Sequence, residues 1–147
     1  MRFDIRPVTS SDHDVWLPLW RGYQAFYKTD IPAEVSENTW QRFLDPKSNL
    51  HAALAWQDEN PIGMVHWIYH PSCWTVGDYC YLQDLFVAPD VRGTGAGRKL
   101  VEHVYDHARD ASAARVYWLT QEDNTTAILL YDRIADRPGF VQYRKML

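Results

Sequence analysis

The tightest constraint on this chain is a set of glycines at alternate positions, Gly93, Gly95 and Gly97. They sit between an apolar stretch, Tyr79–Val87, and an amphipathic one that ends near Asp110. The apolar stretch reads as a strand buried on both faces, and Pro89 stops it. Beyond the glycines, Leu100, Val101, Val104 and Ala108 join Gly97 on one face of a helix over about 95–110. A glycine-rich turn that opens a helix leaves backbone N–H groups without partners, and the helix dipole adds positive charge there. The segment Arg92-Gly93-Thr94-Gly95-Ala96-Gly97-Arg98 is thus predicted to be an anion cradle suited to a diphosphate. Glycine lets phosphates approach the backbone and allows positive φ, while Arg92 and Arg98 add charge.

Spacing narrows the use of such a cradle. A nucleotide P-loop needs Gly-Lys-Ser/Thr, and here Gly97 leads into Arg98-Lys99-Leu100. A dinucleotide fingerprint needs Gly-x-Gly-x-x-Gly, but Gly97 follows Gly95 too closely. What fits is Arg-x-x-Gly-x-Gly on Arg92, Gly95 and Gly97. On the loop alone, a purely structural turn remains open.

The rest of the chain reads as a mixed α/β domain in the order β-α-α-β-β-β-α-β-α-β. Strands are expected over 3–8, 51–56, 62–69, 79–87, 115–120 and 140–146. Helices are expected over about 16–27, 36–44, 95–110 and 125–135, with Pro18 kinking or delaying the first. The 147 residues, 46% hydrophobic and 23% charged, suit one globular domain spanning 1–147. A net charge of −4 argues against nucleic acid as a partner and is compatible with a basic one. Cys73 and Cys80 match no zinc or Cys-x-x-Cys spacing, so no metal is expected and both should be reduced thiols. The start, Met1-Arg2-Phe3-Asp4, lacks a signal-peptide pattern, and no apolar run reaches the ~18 residues of a membrane span. A cytoplasmic protein without membrane contact is the expectation. The aromatic content, seven Trp and nine Tyr, reads first as core and, for some of them, as pocket lining.

Three stretches carry a resemblance. Tyr81-Leu82-Gln83-Asp84-Leu85-Phe86-Val87-Ala88-Pro89 with the Arg92–Gly97 loop resembles the cofactor strand and loop of the GNAT N-acetyltransferase superfamily. Asn124-Thr125-Thr126-Ala127-Ile128-Leu129-Leu130-Tyr131 is similar to its Asn-x-x-Ala-x-x-Leu-Tyr helix. Pro138-Gly139-Phe140 is similar to its entry to a last strand. The likeness covers about 79–143, and its look is that of the small polyamine- and histone-type acetyltransferases.

The resemblance implies a GNAT-like fold, in which acetyl-CoA wedges between splayed parallel strands at 82–87 and 115–120. Backbone at Leu85, Phe86 and Val87 would hold the pantetheine arm and polarise the acetyl carbonyl. Arg92, Gly93, Thr94, Gly95, Ala96, Gly97 and Arg98 would cradle the diphosphate, with Asn124 and Ala127 on the far side. Tyr131 matches the family's general acid, poised to protonate the leaving thiolate and touching the cofactor. The acceptor would be a primary amine of a small molecule or basic peptide, attacking the thioester directly. Gln83 stands where some relatives carry a glutamate base. An amide cannot serve as a general base, so Gln83 would only orient an amine or a water, with water-mediated proton exit as the default. On a regular strand, Asp84 would point away from Gln83; Glu122, His66 and His70 are further base candidates. Trp20, Tyr23 and Tyr27, with Trp67 and Tyr69, are candidate pocket aromatics. A homodimer through the final strand is a further expectation. The alternatives are a non-catalytic acetyl-CoA-binding module and a protein lysine or N-terminal acetyltransferase.

Overall fold

The computed structural model describes residues 2–147. Its strands are β1 (Asp4–Pro7), β2 (Leu50–Gln57), β3 (Asn60–His70), β4 (Tyr79–Val87) and β5 (Arg115–Tyr117). They form one sheet in the order β1-β2-β3-β4-β5, antiparallel except for the parallel β4–β5 pair. The helices are α1 (His13–Phe26), α2 (Ala33–Leu44), α3 (Ala96–Asp110) and α4 (Thr125–Ile134).

Each face of the sheet has its own core. α1 and α2 cover one face with Trp16, Leu19, Trp20 and Trp40 over Leu54, Met64 and Phe86. α3 covers the other with Leu100, Val101 and Val104 over Val65, Trp67, Cys80 and Leu82. The period-2 alternation of a strand serves both layers at once. The chain turns from β2 to β3 at Asp58, whose φ of 55° is one that Asp tolerates better than most residues.

Of the two readings of Pro18, the later helix start is excluded, since α1 runs from His13 through it, and two further expectations need correction. A mid-helix proline costs ~3 kcal/mol, and the complete burial of Trp16 beside buried Leu19 and Trp20 offsets that cost. β5 stops at Tyr117 rather than 120. The segment 140–147 forms no strand and is exposed throughout. A strand exists only against a partner edge, and beyond Tyr117 no backbone among the described residues pairs with β4 on this side.

Candidate active site

The site begins where two strands part. β5 pairs with β4 only from Tyr79↔Arg115 to Tyr81↔Tyr117. From Leu82 to Val87, β4 keeps its β3 partner but loses its β5 neighbour. Strand N–H groups alternate in direction, so alternate N–H and C=O groups of this stretch face an open wedge, the V that the resemblance implies.

The glycine loop lies beyond the end of β4. Gly93 and Gly95 have φ of 79° and 92°, and a Cβ at either would meet nothing within 4 Å. Glycine is therefore required by backbone conformation, and the space in front of the loop stays open. A Cβ on Gly97 would touch Val87 and Leu130 at 3.8 and 3.9 Å, so Gly97 packs the loop onto β4 and α4. The first helical bond of α3 runs from the Lys99 N–H to the Gly95 carbonyl. The N–H groups of Ala96, Gly97 and Arg98 precede it, as an anion cradle requires. The loop thus fits a diphosphate. Of its arginines, Arg92 donates from Nε to the Val87 carbonyl (3.0 Å) and stacks on Phe26 and Phe86. Arg98 pairs with Glu102 at 3.1 Å. The Thr94 hydroxyl donates to the Val91 carbonyl at 2.6 Å, closing the loop's base.

On the α1 side of the wedge lies a cavity of about 330 Å³. Tyr23 of α1, Tyr27 at its C-terminal cap, Gln83, Asp84 and Leu85 of β4, and Tyr131 of α4 line it, with Trp118, Gln142 and Arg144. The site thus brings together Tyr23, Tyr27, Gln83, Leu85 and Tyr131. Trp20 is not in the lining. It is buried, donates its indole N–H to Ser36 Oγ at 2.9 Å and stacks on Tyr23. Trp67 and Tyr69 face α3, where the Tyr69 hydroxyl meets His107 Nδ1. Glu122 lines only the larger groove beyond Tyr131, and His70 meets the Tyr117 hydroxyl at 2.7 Å. Asn124 precedes α4 as expected, but its side chain reaches back to Thr120 Oγ1 at 3.3 Å.

Asp84 is the correction that matters most. Trp67 opposes Leu82 and His66 opposes Asp84, which leaves Gln83 as an unpaired bulge residue. A bulge breaks strict alternation. Leu82 stays on the α3 face while Asp84 turns beneath α1, buried at 8% exposure and yet lining the cavity. Its Oδ2 accepts from His66 Nδ1 at 2.9 Å. The cavity therefore holds a carboxylate next to the amide. Nothing in the sequence announces the bulge; the signal available was an acidic residue inside an otherwise apolar strand.

Charge and burial tune the phenols. Burial, then the negative charge of Asp84, raises the Tyr23 hydroxyl far above the ordinary 10; the same causes raise Tyr27 and Tyr81. Tyr131, half-buried against Trp118, is pushed up to about 12 by burial and by Tyr27. All four stay protonated at neutral pH, as hydrogen-bond donors.

A wedge in a parallel strand pair, a glycine loop at its mouth and a phenol in the gap describe an acyl-transfer enzyme that takes a thioester cofactor. The Acetyltransferase (GNAT) family pattern matches residues 16–135, and the chain belongs to that family. Its activity is acetyl-CoA-dependent N-acetyl transfer. It is 38% identical to a D-amino-acid N-acetyltransferase of Saccharomyces cerevisiae, over 98% of this chain and 91% of that one. It is 35% identical to a thialysine N-epsilon-acetyltransferase of Caenorhabditis elegans, over 90% of this chain and 81% of that one. The fold matches a ribosomal-protein-alanine N-acetyltransferase from Brucella melitensis with a TM-score of 0.83, at 22% identity and complete coverage of both chains.

Proposed function

We propose that this enzyme acetylates a free amino acid, with the acceptor amine directed to Asp84 and the acceptor carboxylate to Arg144. The observation that carries this reading is the charge pattern of the cavity. It has one buried carboxylate, Asp84 on β4, and one arginine, Arg144 of the C-terminal segment, which has no ion-pair partner among the described residues. A zwitterion complements that pair, and the tyrosines between them suit an ammonium or apolar methylenes. The names of the relatives, a D-amino-acid and a thialysine N-acetyltransferase, point to the same class rather than to polyamines or histones.

The chemistry then divides among the residues. The amine nitrogen, once deprotonated, forms a bond to the acetyl carbon as the C–S bond breaks. The electron pair leaves on sulfur, and the nitrogen sheds its proton toward Asp84 and water. A backbone N–H of Leu85, Phe86 or Val87 holds the carbonyl oxygen as negative charge builds on it. Tyr131, with a pKa near 12, is a weaker acid than a thiol at about 8.5. Its part is to donate a hydrogen bond to the departing thiolate rather than to surrender its proton outright. Gly93 to Arg98 and Asn124 to Ala127 bind the cofactor on either side of the wedge.

The test is release of CoA over an acceptor panel of D-lysine, D-alanine, thialysine, spermidine, an aminoglycoside and a basic peptide. Amino acids should give the highest kcat/KM, and Arg144→Ala should raise KM for these alone. Preference for spermidine or the peptide would overturn the reading.

We further propose a single-domain cytoplasmic enzyme that acts as a homodimer. Phe140, Val141, Tyr143, Met146 and Leu147 are exposed, and among the described residues β5 has no neighbour on its outer edge. A second copy's final segment is the occupant that would pair there. Light scattering should give twice the chain mass, reduced to one by deleting residues 140–147.

A further inference from the structure

The acceptor reading rests on Asp84 being an anion, and the residues behind it determine whether it is. Trp16 of α1, His66 of β3 and Asp84 of β4 form a buried line. Trp16 Nε1 lies 3.0 Å from His66 Nε2, and His66 Nδ1 lies 2.9 Å from Asp84 Oδ2. An indole nitrogen has a hydrogen to give and no lone pair with which to accept. The Trp16 contact therefore makes His66 Nε2 the acceptor. The ring proton must sit on Nδ1, where it donates to Asp84.

A doubly protonated His66 would set N–H against N–H at Trp16. Trp16 is wholly buried and His66 is 3% exposed, so water has no access to mediate between them. Trp20 and Phe43 hold the ring in place, with centroids at 5.0 and 4.7 Å. The consequence is electrostatic. An imidazolium would cancel the Asp84 charge, whereas a neutral imidazole supplies a hydrogen bond and leaves the charge in place. The other titratable groups around Asp84 are Tyr23 from α1, Tyr27 at its C-terminal cap and Tyr81 from β4, all raised in part by its charge. Tyr131 and Arg144 line the same cavity, and Arg92 acts on Tyr27.

We infer that His66 is a positioning residue, held by Trp16 in the Nδ1–H tautomer, so that Asp84 stays an oriented, unneutralised carboxylate for the acceptor amine. This deepens the acceptor reading and rests on it for its function, but not for its geometry.

The first experiment needs no substrate. In the 15N spectrum of the full chain at neutral pH, His66 should show a protonated Nδ1 and a bare Nε2. A proton on Nε2, or on both nitrogens, would overturn the lock. The second is kinetic, with D-lysine. Trp16→Phe removes the donor that fixes His66 Nε2 as an acceptor, so its KM should rise several-fold over wild type at neutral pH. An unchanged KM would overturn the lock. Should Trp16→Phe not fold, His66→Phe and His66→Asn decide. Asparagine can still donate to Asp84, so it should recover most of the KM lost with phenylalanine; equal KM values would reduce His66 to packing. If wild type does not acetylate D-lysine, the amino-acid reading fails while the spectrum still settles the tautomer.

Discussion

His66 and Trp67 are neighbours in β3 that face opposite ways, and each belongs to a tryptophan–histidine pair. Under α1, Trp16 donates to His66, which donates on to Asp84. Under α3, Trp67 and Tyr69 both address His107 Nδ1, at 3.4 and 2.6 Å, and no carboxylate completes the line. The first pair ends in a charge that faces a cavity. The second is surrounded by His51 and His103, and burial lowers all three histidines below the ordinary 6.5. The same residue types thus end at a cavity on one face and in packing on the other. What separates them is whether the hydrogen-bond chain ends on a charge.

The contrast is open to attack from either side. The largest effect is expected at the cofactor loop on the α3 side of the wedge. Gly95→Glu puts a side chain at φ 92° and a negative charge in the cradle, and acetyl-CoA binding should vanish by calorimetry while the α1 face stays folded. Undiminished affinity would remove the loop from the site. Next comes Asp84→Asn, expected to lower kcat/KM for the amine on the order of 100-fold, because a charge-assisted hydrogen bond is worth ~1.5–3 kcal/mol. Acetyl-CoA affinity should hold. If the variant instead loses only stability, the two faces are alike after all. Tyr131→Phe should lower kcat about tenfold with cofactor affinity unchanged, and full turnover would exclude the phenol.

The smallest effect belongs to the α3 face and concerns stability. There the folded histidines bind protons less readily than the unfolded chain does. As pH falls below about 6.5, the unfolded state gains protons that the folded state refuses, and stability declines until the folded values are reached. His103, whose Nε2 is buried without a hydrogen-bond partner among the described residues, is the residue to remove. His103→Leu should flatten this decline in thermal melts and leave kcat/KM near wild type at neutral pH. A decline as steep as in wild type would place the acid sensitivity elsewhere.

Much of the fold was legible because its signals are local. The helix face Leu100, Val101, Val104, Ala108, the apolar run of β4 and the glycine loop depend on residues a few positions apart, and each appears where the sequence placed it. So does Tyr131, at the wedge. The failures are non-local. Pro18 leaves a delayed helix start open until the burial of Trp16 and Trp20 is counted. The last strand has sound alternation but no partner edge within its own chain. Trp20, Trp67 and Tyr69 are aromatic residues like Tyr23 and Tyr27, and only layer assignment tells core from pocket.

The Arg92–Gly97 loop, the strand before it and the Asn124–Tyr131 helix by themselves determined the family and the reaction class. Tertiary structure alone decided that the cavity beneath α1 holds a buried carboxylate, Asp84. A strand read at period 2 sends Asp84 away from Gln83. Register with β3 leaves Gln83 unpaired and turns Asp84 beneath α1, against a histidine 18 residues earlier in the chain. Register is set by long-range pairing between strands, which no local pattern encodes.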